Sequence, residues 1–177
     1  MSFRQVPLPA HITGALYLHN MPGRPGYHRT LAEDAALMAS HGITYSVDLA
    51  PLKEARCKSP DYAAAIESGD LPWKRISFPI ADFSVPASDE ERAAYLELAR
   101  KIAADLAIGA HIVIHCGAGI GRSGTLAIAA LLASGLGAEE AAEAVSRASG
   151  GPETSEQRHL VTWVASQLQS PSTQESA

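Results

Sequence analysis

Cysteine is scarce in this chain. Cys57 and Cys116 are the only two among 177 residues, too few for a disulfide framework and too far apart for a CxxC pair. A basic excess is missing as well: 14 Lys and Arg stand against 19 Asp and Glu, a formal net charge of −5. That balance leaves no electrostatic footprint for nucleic acid or an anionic membrane surface. Long apolar runs are absent. The longest, Leu126 to Ala133, is far below the ~20 residues of a bilayer span. The first residues, Met1 to Pro7, hold no signal-peptide apolar segment. No internal repeat is visible, and the nucleotide-binding pattern GxxxxGK[ST] does not occur. The expectation is one domain over residues 1–168 in a reducing compartment, the cytoplasm, where a free thiol survives. Residues 169–177 are polar and read as a disordered tail.

What is present alternates between strand and helix signals. Leu16-Tyr17-Leu18 reads as a short strand, followed by a Pro/Gly loop from Met21 to Tyr27. Thr30-x-x-Glu33 is a capping box that opens a helix ending at Gly42. Ile43, Tyr45, Val47 and Leu49 alternate with polar residues, a strand pattern. Pro51 to Asp70 is a polar stretch with a short helix begun by Ser59-Pro60. Lys74 to Ile80 reads as a strand, and Ala81 to Ala87 as a proline-punctuated loop. Ser88-x-x-Glu91 is a second capping box and starts a long helix. Ile112-Val113-Ile114 is a continuous apolar run, as in a strand buried on both faces. Thr125 to Ser134 is a nearly all-apolar helix, with further helices over Ala138–Ser149 and Ser155–Gln169. This alternation predicts an α/β fold: a central, mostly parallel sheet of four to five strands flanked by helices.

The informative run is His115-Cys116-Gly117-Ala118-Gly119-Ile120-Gly121-Arg122-Ser123-Gly124. It places a cysteine at the end of an apolar strand, in a glycine-rich loop that opens a helix near Arg122. A thiolate, not a thiol, attacks phosphorus. A helix N-terminus and a neighbouring cation lower a cysteine pKa to roughly 3.5–7.5. The backbone N–H groups of Gly117 to Arg122 can curl into an anion nest. Gly117, Gly119 and Gly121 allow the positive φ values and close approach that a nest needs. Arg122 offers a planar donor fork to two phosphate oxygens, and Ser123 can donate to the sulfur when it leaves. His111 and His115 are no metal pair, because four residues of strand span about 13 Å. His115 is expected to pack beside the loop and hold its backbone. Cys57 is expected to be a structural or inert loop thiol.

HCGAGIGRSG resembles the His-Cys-x5-Arg-Ser/Thr signature of the cysteine-based protein tyrosine phosphatase superfamily. The surrounding chain is similar to the small dual-specificity type, the group of the kinase-associated phosphatase and its bacterial relatives. The likeness runs from Leu16 to about Gln169. Besides the cysteine loop it rests on Leu16-Tyr17-x3-Met21-Pro22-Gly23, on Pro79-Ile80-Ala81-Asp82 and on Glu153-Thr154-Ser155-Glu156-Gln157.

The resemblance implies hydrolysis of phosphate monoesters through a cysteinyl-phosphate, with no metal or organic cofactor. Cys116 is the nucleophile, Arg122 and the amides of Gly117, Ala118, Gly119, Ile120 and Gly121 hold the phosphate, and Ser123 and His115 support the cysteine. Asp82 falls at the general-acid position. Asp89, in the first turn of a capped helix, is explained by the helix dipole alone. Gln157 matches a glutamine that positions water in some relatives, but Thr154-x-x-Gln157 is also a capping box, and Glu153 departs from the second glutamine of tyrosine-specific members. Glu54 falls where relatives carry a glutamate near the arginine, but a solvated loop charge is the favoured reading. Arg24 could reach a second anionic group. The expected partner is a phosphorylated protein or peptide, phosphotyrosine preferred and dual specificity allowed. The loop carries no lysine, which speaks against the alternative inositol phosphate or phosphoinositide substrate. A phosphopeptide-binding module without turnover would be expected to lose the cysteine, arginine or acid; this chain keeps all three.

Overall fold

Four strands of this chain run parallel and end on the same side, and that arrangement makes the site. The computed structural model describes residues 3–169. Its strands are β1 (Arg4–Val6), β2 (Ala15–His19), β3 (Tyr45–Asp48), β4 (Arg75–Ser77) and β5 (His111–His115). The helices are α1 (Leu31–Ser40), α2 (Leu52–Lys58), α3 (Pro60–Ser68), α4 (Asp89–Ala107), α5 (Gly121–Ala133), α6 (Ala138–Arg147) and α7 (Ser155–Gln169). The strands form a five-stranded sheet in the order β1-β2-β5-β3-β4. β1 pairs antiparallel with β2, and all other pairs are parallel. The α/β, mostly parallel reading therefore holds.

β5 is the central strand, so its Ile112-Val113-Ile114 run is covered on both faces. Leu16, Leu18, Val47, Ile112 and Ile114 belong to a large core with residues of α4, α5, α6 and α7. Ala15, Tyr17 and Val113 pack on the other face with Met38 of α1. α5 packs against α4, α6 and α7 as well as the sheet, which explains its nearly continuous apolar sequence. Each fully buried Leu or Ile there contributes about 1.5–3 kcal/mol. Both capping boxes form: Thr30 Oγ1 accepts from Glu33 N at 3.2 Å, and Ser88 Oγ from Glu91 N at 3.1 Å.

Three local readings change. β1 is too short to give a periodic signal and adds a fifth strand at the edge. The polar stretch after Pro51 holds two helices, α2 and α3, separated by Ser59. β4 is three residues long, although Phe78 N and Ile80 N still donate to Asp48 O and Leu49 O at 2.9 Å. The tail read at 169–177 lies outside the described residues beyond Gln169. No described helix is long and apolar enough to cross a membrane. Ligands of open parallel sheets bind beyond the carboxyl ends of the strands. Here those ends deliver His19–Met21, Asp48 and the start of α2, Ile80–Asp82, and Cys116.

Candidate active site

Cys116 directly follows β5, and its side chain is buried. Gly119 donates its N–H to Sγ at 3.2 Å. The loop enters α5 at Gly121, so the positive end of that helix faces the same point. Its carbonyls are tied on the outside. Gly117 O accepts Arg24 Nη1 at 2.7 Å and Met21 N at 3.3 Å. Gly119 O accepts Arg4 Nη2, and Ile120 O accepts Gly124 N at 2.8 Å and Gly151 N at 3.2 Å. Ala118 and Ile120 lie half-buried between these anchors.

The glycines serve two different needs. Only Gly119 of the loop has a positive φ, +74°, and a Cβ there would sit 2.1 Å from His19 O. Gly117 and Gly121 need no left-handed backbone, contrary to the expectation. Space is tight at both: a Cβ would lie 2.5 Å from Glu54 Oε1 at the first, an oxygen that Arg122 and Lys58 hold in place, and 2.2 Å from Glu153 Oε2 at the second, the end of a side chain that would have to move.

Arg122 is 3% exposed and points into a ring of acceptors. It meets both oxygens of Glu54 at 2.8 and 2.9 Å, Ile80 O at 2.8 Å, and Asp82 Oδ1 at 2.8 Å. Burial opposes the guanidinium charge. Glu54, the Cys116 sulfur and Asp82 outweigh that cost and hold its pKa above the ordinary value. Glu54 is therefore not the solvated loop charge of the bare sequence reading. It lies in the first turn of α2, largely buried, where burial is outweighed by Arg122 and Lys58 and its carboxyl is held below the usual range. Lys58 bridges Glu54 Oε1 at 2.7 Å and Asp82 Oδ2 at 3.1 Å.

Asp82 thus stands within the cluster, on a turn closed by Ser84 N to Ala81 O at 3.0 Å. Phe83 is the third residue of that turn, 61% exposed and with φ of +59°, where glycine is the usual occupant. Asp89 is fully exposed at the start of α4, and its ion pair is with Arg92 at 3.9 Å.

His115 is fully buried, but its hydrogen-bonding partner is not loop backbone. Nε2 lies 3.2 Å from Tyr62 Oη, and Nδ1 lies 3.6 Å from Asp48 Oδ1. Tyr62 Oη and Arg75 Nε both donate to Asp48 Oδ2, at 3.1 and 3.0 Å. Burial lowers the His115 pKa to about 4, against the opposing pull of Asp48. The folded state resists protonating this ring, whereas the unfolded state accepts a proton near pH 6.5. Stability should therefore fall as pH drops from about 6.5 towards about 4, by at most about 1.4 kcal/mol per pH unit from this group. Denaturant unfolding across that range should show the slope, and His115→Gln should flatten it. Glu54 gives a slope of the same sign in both proteins, so the difference isolates His115.

Ser123 is fully buried beneath the loop, and Oγ has no hydrogen-bond partner among the described residues. Gln157 is also buried. Its Oε1 accepts from Glu153 N at 2.8 Å, its Nε2 reaches Ser84 O at 3.4 Å, and its own N–H donates to Thr154 Oγ1 at 3.2 Å. It borders the loop: a Cβ on Gly121 would lie 3.2 Å from its Oε1. Cys57 is exposed on α2, a helix and not a loop. The described residues contain no cluster of three or more metal-ligating side chains.

Comparison with known proteins identifies the family and the fold. The family model Tc-R-P, described as a polymorphic toxin system DSP-PTPase phosphatase, matches residues 21–136. A search of curated proteins finds no match. Among solved structures, the chain is similar to Tk-PTP in its active form, with 27% identity, a TM-score of 0.63, and coverage of 88% of this chain and 94% of that one. It is similar to the kinase associated phosphatase with its catalytic-site cysteine replaced by serine, at 21% identity, a TM-score of 0.72 and 94% of both chains. PTPMT1 in complex with PI(5)P shares the fold, at 15% identity and a TM-score of 0.64, over 95% of this chain and 97% of that one. The chain belongs to the DSP-PTPase phosphatase family and is a cysteine-dependent phosphatase.

Proposed function

We propose that this phosphatase hydrolyses phosphate monoesters on proteins through a cysteinyl-phosphate, with phosphotyrosine preferred. The observation that carries the reading is the convergence on one point of Cys116 Sγ, the Gly119 amide, the N-terminus of α5 and Arg122, with Asp82 in contact with that arginine.

In the first step Sγ attacks phosphorus, an S–P bond forms and the ester O–P bond breaks. Asp82 gives its proton to the leaving oxygen. The loop amides and Arg122 bear the charge on the equatorial oxygens. In the second step water attacks phosphorus, Asp82 takes the water proton, and the S–P bond returns its electrons to sulfur. The Ser123 hydroxyl, buried beneath the loop, is the donor to that leaving sulfur. Gln157 could reach the attacking water only by releasing Ser84 O or Glu153 N. No step requires a metal or an organic cofactor.

The substrate reading follows from charge. The cation nearest the loop besides the arginines is Lys58, and two carboxylates neutralise it. Arg4 and Arg24 are committed to loop carbonyls, so Lys58 offers little to the additional phosphates of an inositol polyphosphate, while an aryl phosphate needs only the loop and Arg122. The aryl ester also has the better leaving group. Matched phosphotyrosine and phosphoserine peptides, inositol phosphates and nucleotides should be compared by kcat/KM in EDTA. Phosphotyrosine is expected to be fastest, with phosphoserine measurable. Preference for inositol phosphates would overturn the substrate class, and activity lost in EDTA and restored by a divalent ion would overturn the mechanism.

A further inference from the structure

We propose that Arg4, on the edge strand β1, is a positioning residue of the phosphate loop, with Arg24 its counterpart at the loop's beginning. The proposal rests on the reading of Cys116 as nucleophile. Its first support is peptide geometry. All peptide bonds of the described chain are trans, so a peptide's C=O and N–H point to opposite sides of the chain. Arg24 and Met21 N hold Gly117 O on the outside, which turns Ala118 N–H inward. Arg4 holds Gly119 O on the outside, which turns Ile120 N–H inward. Two of the amides that would cradle a phosphate are therefore aimed by arginines lying outside the cysteine motif.

The second support is the freedom that these contacts remove. Gly119 has φ of +74°, and glycine crosses between left- and right-handed regions at little cost. A turned peptide at 119–120 would point a carbonyl oxygen, not an amide, at the phosphate. Arg4 stabilises the orientation that suits an anion.

The third support is charge. Neither Arg4 nor Arg24 pairs with a carboxylate among the described residues. Arg4 is half-buried, and its Nε is buried with no hydrogen-bond partner. Burial lowers its pKa, while the Tyr27 hydroxyl and the Cys116 sulfur act in the opposite sense. Arg24 lies over the Tyr27 ring, with Cζ 5.1 Å from the centroid. On the other side of the loop Lys58 is neutralised by Glu54 and Asp82. Among the described residues, Arg4 and Arg24 are thus cations at the loop without a carboxylate partner, and Arg4 is close enough to the Cys116 sulfur to feel its charge. An unpaired, half-buried guanidinium is costly for folding alone; it is suited to a place where a thiolate and a phosphate dianion arrive.

The test compares the parent, Arg4→Met and Arg4→Lys, all in a Cys57→Ser background so that alkylation reports only on Cys116. Arg4→Met should lower kcat/KM about 10- to 100-fold, the scale of one charge-assisted hydrogen bond. It should weaken inhibition by orthovanadate and slow the alkylation of Cys116 by iodoacetamide. Arg4→Lys keeps the charge but not the fork. Its alkylation rate should stay near the parent's while vanadate inhibition remains weakened. If Arg4→Met does not fold, Arg4→Lys decides: vanadate inhibition equal to the parent overturns the proposal. A folded Arg4→Met that loses only thermal stability, with parental alkylation and vanadate inhibition, also overturns it. Turnover by Cys116→Ser would instead remove the nucleophile reading itself, so the two failures are distinct.

Discussion

Cys116→Ser is expected to reduce turnover by about 10⁵–10⁶-fold, the scale on which a nucleophile is lost, while phosphopeptide binding and thermal stability stay near those of the parent. A serine hydroxyl is not ionised near neutral pH, and neither the helix N-terminus nor Arg122 can change that by enough. The loop should survive the exchange. Gly119 N–H, now 3.2 Å from Sγ, keeps an oxygen acceptor. The anchors of Gly117 O, Gly119 O and Ile120 O do not involve residue 116. Binding of a phosphotyrosine peptide by calorimetry, beside single-turnover hydrolysis, separates the two effects. In the parent, rapid quenching should trap one phosphoryl group on Cys116. Cys57→Ser, on an exposed face of α2, should retain parental turnover. Hydrolysis by Cys116→Ser at more than a trace of the parental rate would remove the covalent route.

Much of this site could be read in advance because its signals are local. The cysteine, the loop glycines and Arg122 lie within seven consecutive residues, and the apolar strand before them fixes where they sit in the sheet. The capping boxes at Thr30 and Ser88 are equally local, and both form. What was not legible depends on contacts across the sheet. The partnership of Glu54 was marked by the resemblance alone: it lies 68 positions from Arg122, and only the turn of α2 over the carboxyl end of β3 makes it a bidentate partner. The short, polar α2 gave no amphipathic stripe to announce it. Asp48 read as the polar half of an alternating strand. It is instead the buried acceptor for Tyr62 and Arg75, because Asp48 and His115 are paired across β3 and β5. The same pairing draws the His115 ring to Asp48 and Tyr62 and away from the loop backbone. Arg4 is separated from Gly119 by 115 positions on a three-residue strand. A run that short carries no period, so neither β1 nor its arginine had a sequence signal.

Asp82→Ala should lower kcat by about 10²–10⁴, the usual contribution of a general acid, and the loss should depend on the ester. A phenoxide departs with less help than an alkoxide, so phosphoserine should suffer more than phosphotyrosine. The free enzyme already couples this carboxylate to the phosphate site. Arg122 Nη2 and Lys58 Nζ hold its two oxygens at 2.8 and 3.1 Å. A phosphate bound at Arg122 should compete with Asp82 for Nη2. Removing the side chain should leave Arg122 in position, because both oxygens of Glu54 and Ile80 O still hold it. KM should consequently change much less than kcat. Asp89→Ala offers the contrast. Its side chain is fully exposed, with an ion pair only to Arg92 one turn along α4, so kcat and its pH profile should match the parent. If Asp89→Ala instead produced the larger, ester-dependent loss, the acid would have to be reassigned, and the contact between Asp82 and Arg122 would be left with a structural role alone.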